Sequence, residues 1–164
     1  MSGIKIISLL IVISSLLFSG CGKSKFELNR PEVKSNSTTV TTSYSTPIKV
    51  DSKNLLVEVV NSDSSRSIGL SGRESLPDDT GMLFDFTNTQ NTTPSFWMKD
   101  MKFDIDIIWI NENKIIGITK NVPAQENNSN LPTYSPPSEI THVLEIPSGW
   151  SEINKIQIGD ELQI

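Results

Sequence analysis

The chain of 164 residues contains one cysteine and one histidine, and its longest apolar stretch, the 13 residues Ile6 to Phe18 interrupted only by serines, is too short to span a bilayer. A single cysteine rules out an internal disulfide. A single histidine excludes a multi-histidine zinc site and leaves no second imidazole for a proton relay. Positive charge is also scarce: 14 Lys and Arg face 19 Asp and Glu, for a net charge of -5. Clustered basic residues, which nucleic acid and anionic lipid both require, are therefore not expected. No glycine-rich phosphate loop, nucleophile elbow or cysteine nucleophile occurs, so no catalytic residue, cofactor or metal is assigned.

What the N-terminus does have is an address. Lys5 precedes the Ile6–Phe18 run, whose length suits the core of a secretory signal. Leu17-Phe18-Ser19-Gly20-Cys21 then resembles the bacterial lipobox, in which the cysteine is acylated and becomes the new N-terminus. The expectation is a signal over 1–20, a lipid on Cys21 and attachment to the outer face of a bacterial membrane, with the lipid as the link to that membrane. Removing the signal takes away Lys5 and no acid, so the mature form is one unit more negative. Residues 21–48 are rich in Ser, Thr, Asn and Lys without sustained periodicity, a composition that cannot bury enough surface to offset its entropy. Read as a flexible tether, such a segment reaches roughly 28 Å.

Residues 49–164 are long enough for one hydrophobic core and one domain, expected as a monomer. Leu55 to Val60 is a β-rich run, and Asn61-Ser62-Asp63 is a cap cluster that predicts a short helix over 64–70 with Ile68 buried. Further strands are expected at 82–86, 95–99, 105–110, 114–119, 142–146 and near 158–164, with a helical turn at 148–153. Asn111-Glu112-Asn113 between two Ile-rich runs predicts a hairpin and a local meander. The Pro-rich stretch 123–138 reads as a long irregular loop and a candidate rim for a site. The fold class is mainly β, or β-rich α+β: a compact barrel-like sheet of six or seven short strands with one or two short helices, and not a βαβ array.

Several motifs occur in order: Arg66-x-x-Gly69-Leu70-x-x-Arg73, Gly81-Met82-Leu83-Phe84-x-Phe86, Phe96-Trp97-Met98-Lys99, Asp106-Ile107-Ile108, Tyr134-Ser135-Pro136-Pro137, Val143-Leu144-Glu145-Ile146 and Gly159-Asp160. Together they resemble the domain of unknown function 192 family over about 55–164. The resemblance implies an exported protein of compact β-rich fold with no established activity. The chain departs from the family pattern at Gln125 and Leu131, where many relatives have cysteines, and at His142, where an aromatic is usual; His142 is expected on a strand surface. Asp104 replaces a proline, which predicts a looser chain before the hairpin.

Candidate site residues are Arg66, Arg73, Trp97, Lys99, Asp106, Tyr134 and Glu145. Asp106 lies in a strand apolar on both sides, where a lone carboxylate costs several kcal/mol unless partnered. Arg66, Arg73 and Lys99 are its candidate partners. One reading is a structural ion pair; the other is a charged pocket in which Arg73 or Lys99 receives a ligand. Trp97 beside Lys99 is either a stacking platform next to a donor or a packed ring beside an edge lysine. Tyr134 is either an opposite wall or a ring packed on its own prolines. Three functions are carried forward: a module binding a small polar or carbohydrate-like envelope ligand, a hydrolase of envelope polymers using Asp106 and Glu145, and a structural partner in an exported complex.

Overall fold

The computed structural model describes residues 44–90, 92–125 and 130–164. The signal, Cys21 and the tether as far as residue 43 lie outside the described residues. The described part falls within one compact unit, 39–164. Its elements are β1 (Thr46–Val50), β2 (Lys53–Val60), α1 (Asp63–Ile68), β3 (Thr80–Asp85), β4 (Phe96–Trp97), β5 (Ile105–Asn111), β6 (Lys114–Val122), β7 (Thr133–Tyr134), β8 (His142–Pro147), α2 (Trp150–Ile153) and β9 (Leu162–Gln163). Among these, seven strands form one curled half-barrel sheet in the order β6-β5-β8-β3-β2-β1-β9, and β4 pairs separately with β7.

The expected hairpin is β5–β6, but no meander follows. β8 returns to the other side of β5, and β3 and β8 run antiparallel. β2 and β3 are parallel and are joined through α1, a single βαβ crossover in an otherwise antiparallel sheet and not a βαβ array. β1 begins at Thr46, inside the stretch read as tether, and pairs along its length with β2. Pro47 disguises it. β9 pairs only with Lys49 and Val50, so β1 has an open side near Pro47, where a missing N–H goes unused. The chain entering β9 also reaches across to β6: Ile115 N donates to Asp160 O and Leu162 N to Asn113 O, drawing the two sheet edges together.

Both faces of the sheet are covered. The inner face packs Ile48, Val50, Leu55, Val57, Leu83, Ile108, Ile110, Leu144 and Ile146 around Trp150 and Leu162. The outer face packs Met82, Phe84, Ile107, Trp109 and Val143 beneath Leu70, Leu76, Met98 and Met101. Alternate residues of β3, β5 and β8 serve opposite cores, as the two-residue repeat of a strand requires. Gly81 is fixed by this closeness: a Cβ there would stand 2.8 Å from the carbonyl oxygen of Glu145.

Helix α1 is held by its cap and not by an apolar face. Ser62 and Ser65 form a reciprocal capping box, and none of its residues is buried. Ile68 is 63% exposed, contrary to expectation, because Gly69 at φ 52° turns the chain so that Leu70 enters the core instead. A fully buried leucine contributes about 1.5–3 kcal/mol, which makes Leu70 the anchor of this segment.

Asp106 is fully buried on the inner face, and its partner is not a cation. The β5–β6 ladder slips between Ile105 and Ile107, and Asn121, at φ 52°, donates its amide to Asp106 Oδ1 at 2.8 Å. Gly149 N donates to the same oxygen, while Ser151 N and Ser151 Oγ donate to Oδ2 at 3.1 and 2.6 Å. Four donors thus solvate the carboxylate and clasp β5 to β6 and to the first turn of α2. Asp104 works beside it, accepting from Ala124 N through its side chain and from Ser148 N through its carbonyl, so the chain before the hairpin is stitched down where looseness was expected. Asp106→Ala should destabilise the domain by roughly 3 kcal/mol or more, since buried donors lose their acceptor. Thermal melting monitored by circular dichroism checks this; a melt within a degree of wild type would contradict the clasp.

Candidate functional site

Register decides which acids share a face. Glu58 of β2 stands opposite Met82 of β3, Met82 opposite Glu145 of β8, and Glu145 opposite Ile107 of β5, so these four form one rung on the outer face. Asp106 stands opposite Ile146 and therefore points into the inner core. The sheet separates Asp106 from Glu145, which dissolves the acid pair expected for hydrolysis and removes Asp106 from the ligand-binding set.

Over this rung lies a cavity of about 400 Å³ between α1, the turn at Gly69–Ser71 and β4. Its apolar wall is Phe84, Phe86 and Phe96. Phe96 is the hub, meeting Phe84 edge-on at 5.0 Å, Phe86 at 6.5 Å and Trp109 at 5.5 Å between ring centroids. Such contacts hold rings in defined orientations. At the rim stand two exposed apolar side chains, Trp97 at 55% and Ile68. Ser67 and Ser71 add hydroxyl-bearing residues on the helix side.

Arg66 also lines the cavity, and its guanidinium is held from several directions. Nη1 donates to the carbonyls of Asn61 and Asp85 at 2.9 and 2.7 Å, Nη2 donates to Asp63 at 2.6 Å, and the group stacks 4.8 Å from the centre of the Phe86 ring. Nearby, burial pushes Asp85 up, but the hydroxyl and amide of Thr87 with His142 and Arg66 hold it below the usual carboxylate range. His142 is buried, not on a strand surface: its Nδ1 meets Thr141 Oγ1 at 3.0 Å and burial lowers its pKa despite Asp85 at 3.9 Å.

Glu145 is the unusual group. It is 6% exposed, it lines the cavity, and no hydrogen-bond donor among the described residues reaches its carboxyl. Arg73 is the nearest compensating charge, but Arg73 Nη2 is already paired with Glu58 Oε2 at 2.9 Å, and Nη1 reaches Tyr44 Oη at 3.4 Å. One cation serves two acids on one rung. Burial therefore wins over the attraction of Arg73, and the Glu145 carboxyl is pushed up to about 8. At neutral pH it is mostly a carboxylic acid, able to donate as well as accept.

Of the residues expected from sequence, Arg66, Trp97 and Glu145 meet in the cavity and Arg73 stands behind it. Lys99 is exposed and outside the lining; its contribution is a carbonyl that accepts from Ser71 Oγ at 2.9 Å. Tyr134 pairs with Phe96 across β4–β7 and packs on the core without lining the cavity. No described residue of 123–138 lines it either. Sequence reasoning missed Glu58 and the phenylalanine wall. The signals were an acid interrupting an apolar strand and the Phe84-x-Phe86 spacing that puts both rings on one face. A second, more open depression of about 500 Å³ beside β1 and β2 includes Asp79, but that carboxylate already accepts from Trp150 Nε1.

The family model for the domain of unknown function 192, described as an uncharacterized ACR, matches residues 46–164. The chain belongs to that family. No curated protein matches it. Two solved structures are similar to this family member. One, from Sinorhizobium meliloti and described as a candidate transcription regulator, is 28% identical with a TM-score of 0.61, covering 71% of this chain and 89% of that one. Another, a protein of unknown function from Novosphingobium aromaticivorans, is 23% identical with a TM-score of 0.63, covering 72% and 84%, and likeness at that level speaks to fold alone.

Because the folded state holds the Glu145 proton more tightly than the unfolded chain does, stability from this group is complete below pH 4.5 and is lost as pH rises to about 8. Glu145→Gln should flatten that part of the stability profile and raise the melting temperature relative to wild type above pH 8. Glu58→Gln should free Arg73 for Glu145 and lower the Glu145 titration midpoint, readable by carbon-detected NMR of labelled glutamate. An unchanged midpoint would refute the shared-cation account.

Proposed function

We propose that this chain is a non-catalytic binding module of the cell envelope, held to the outer face of a membrane by lipid on Cys21, that takes a small polar, carbohydrate-like ligand in the cavity beneath Trp97. The observation that carries this reading is a largely buried carboxyl, with no hydrogen-bond partner among the described residues, facing a cavity whose rim is an exposed tryptophan. The carboxyl opens onto the cavity instead of being sealed in the core, so an incoming hydroxyl or carbonyl can reach it and take the place of water. An indole face at the rim suits the C–H face of a sugar ring, and ordered rings behind it supply a preformed apolar wall. With Asp106 committed to the inner core, no second buried acid among the described residues joins Glu145 at the cavity. The negative balance of the chain also fits an envelope ligand better than a nucleic acid.

Trp97→Ala should weaken ligand binding at least tenfold while leaving the melting temperature within a few degrees, because the indole is mostly exposed. A screen of envelope glycans by thermal shift and NMR reads this; ligands that bind the variant and the wild type alike would count against the cavity. Cys21→Ser should move the protein from the membrane fraction to the soluble one, with loss of the acyl mass in mass spectrometry.

A further inference from the structure

We infer that the cavity selects an uncharged ligand presenting a carbonyl oxygen, an N-acylated sugar unit being the chemistry that fits, with the Glu145 carboxyl as the donor to that oxygen. This deepens the binding reading and rests on it. The charged groups around Glu145 are Glu58 from β2, Arg73 from the turn after α1, and Arg66 with Asp63 from α1. Arg73 is balanced by Glu58, and Arg66 by Asp63 with Asp85 of β3 also acting on it, so neither guanidinium presents an uncompensated positive charge to the cavity. An anion would find no free cation there, since the Arg66 and Arg73 guanidiniums are already engaged. A cation would have to drive the proton off Glu145. A neutral carbonyl asks for neither change and accepts a proton that no group among the described residues accepts. The acyl methyl of such a ligand would rest on Phe84 and Phe96, and its ring on Trp97.

The test uses the full lipidated chain in detergent micelles, with binding read from the indole N–H resonance of Trp97 and from calorimetry. The probes are the trimer of N-acetylglucosamine, its de-N-acetylated counterpart and cellotriose, each at pH 6, 7, 8 and 9. The N-acetylated trimer should bind at least tenfold tighter than cellotriose. Its affinity should hold up to about pH 8 and then fall towards tenfold per unit as Glu145 ionises. Glu145→Gln, whose amide still donates, should bind without that fall, and Glu58→Gln should move the fall to lower pH. Binding that tightens with pH, or favours the amine trimer, would assign the site to a cation and overturn the inference. Equal affinity for cellotriose, or an unchanged pH profile in a folded Glu145→Gln protein, would overturn it while leaving sugar binding at Trp97 intact. Silence of the Trp97 resonance towards all three probes, with response to an unrelated glycan, overturns it as well; silence towards every glycan removes both readings.

Discussion

A strand with protein on both faces gives an ionisable side chain no water to fall back on, and β5 and β8 are such strands. Each carries one acid. Every residue of β5 before Asn111 is buried, as is β8 from His142 to Ile146. The sheet itself prevents the two acids from helping one another, since Asp106 projects inward and Glu145 outward. Each must be stabilised by what the chain brings to its own side, and the two sides bring different things.

On the inner side the chain brings backbone. A bulge in β6 and the first turn of α2 present three amides and a hydroxyl to Asp106. A carboxylate so solvated belongs to the architecture, because it ties three elements together and has no lone pair directed at a cavity. On the outer side the chain brings a single guanidinium. Arg73 lies against the partly exposed Glu58, and the deeper acid, Glu145, is left without a cation of its own. Buried acids on adjacent strands thus have opposite characters, one structural and one available.

This division was only partly legible in the amino-acid sequence. The β-rich class, the hairpin around Glu112, the strand at 142–146 and the buried nature of Asp106 all follow from period-two patterning and from the cost of burying charge. Asp106 was read as needing a cation because side-chain partners are visible in a sequence and backbone amides are not. Its actual partners depend on a one-residue slip in β6 and on a four-residue helix, features that no periodicity announces. Glu145 stood among the candidates as a partner of Asp106, with Arg66 and Arg73 assigned to Asp106 instead, because the face each acid occupies depends on strand order. The parallel step from β2 to β3 through so short a helix hid that order, and Pro47 hid the edge strand that extends the sheet.

The cavity owes its form to elements outside the main sheet, and this bears on what it can be for. From the main sheet it takes Phe84 of β3 and Glu145 of β8, while its rim is α1, the turn at Gly69 and the two-residue strand β4. The rim is secured by a few contacts: a serine capping box, Leu70 driven into the core, and Phe96 wedged among three rings. Local openings of proteins occur where buried apolar contacts are few. The rim is thus tied down at Leu70 and Phe96 and open to solvent at Ile68 and Trp97. A carboxyl fixed by the sheet beneath an exposed apolar rim gives the proposed site one directional polar contact and a broader, less directional apolar one.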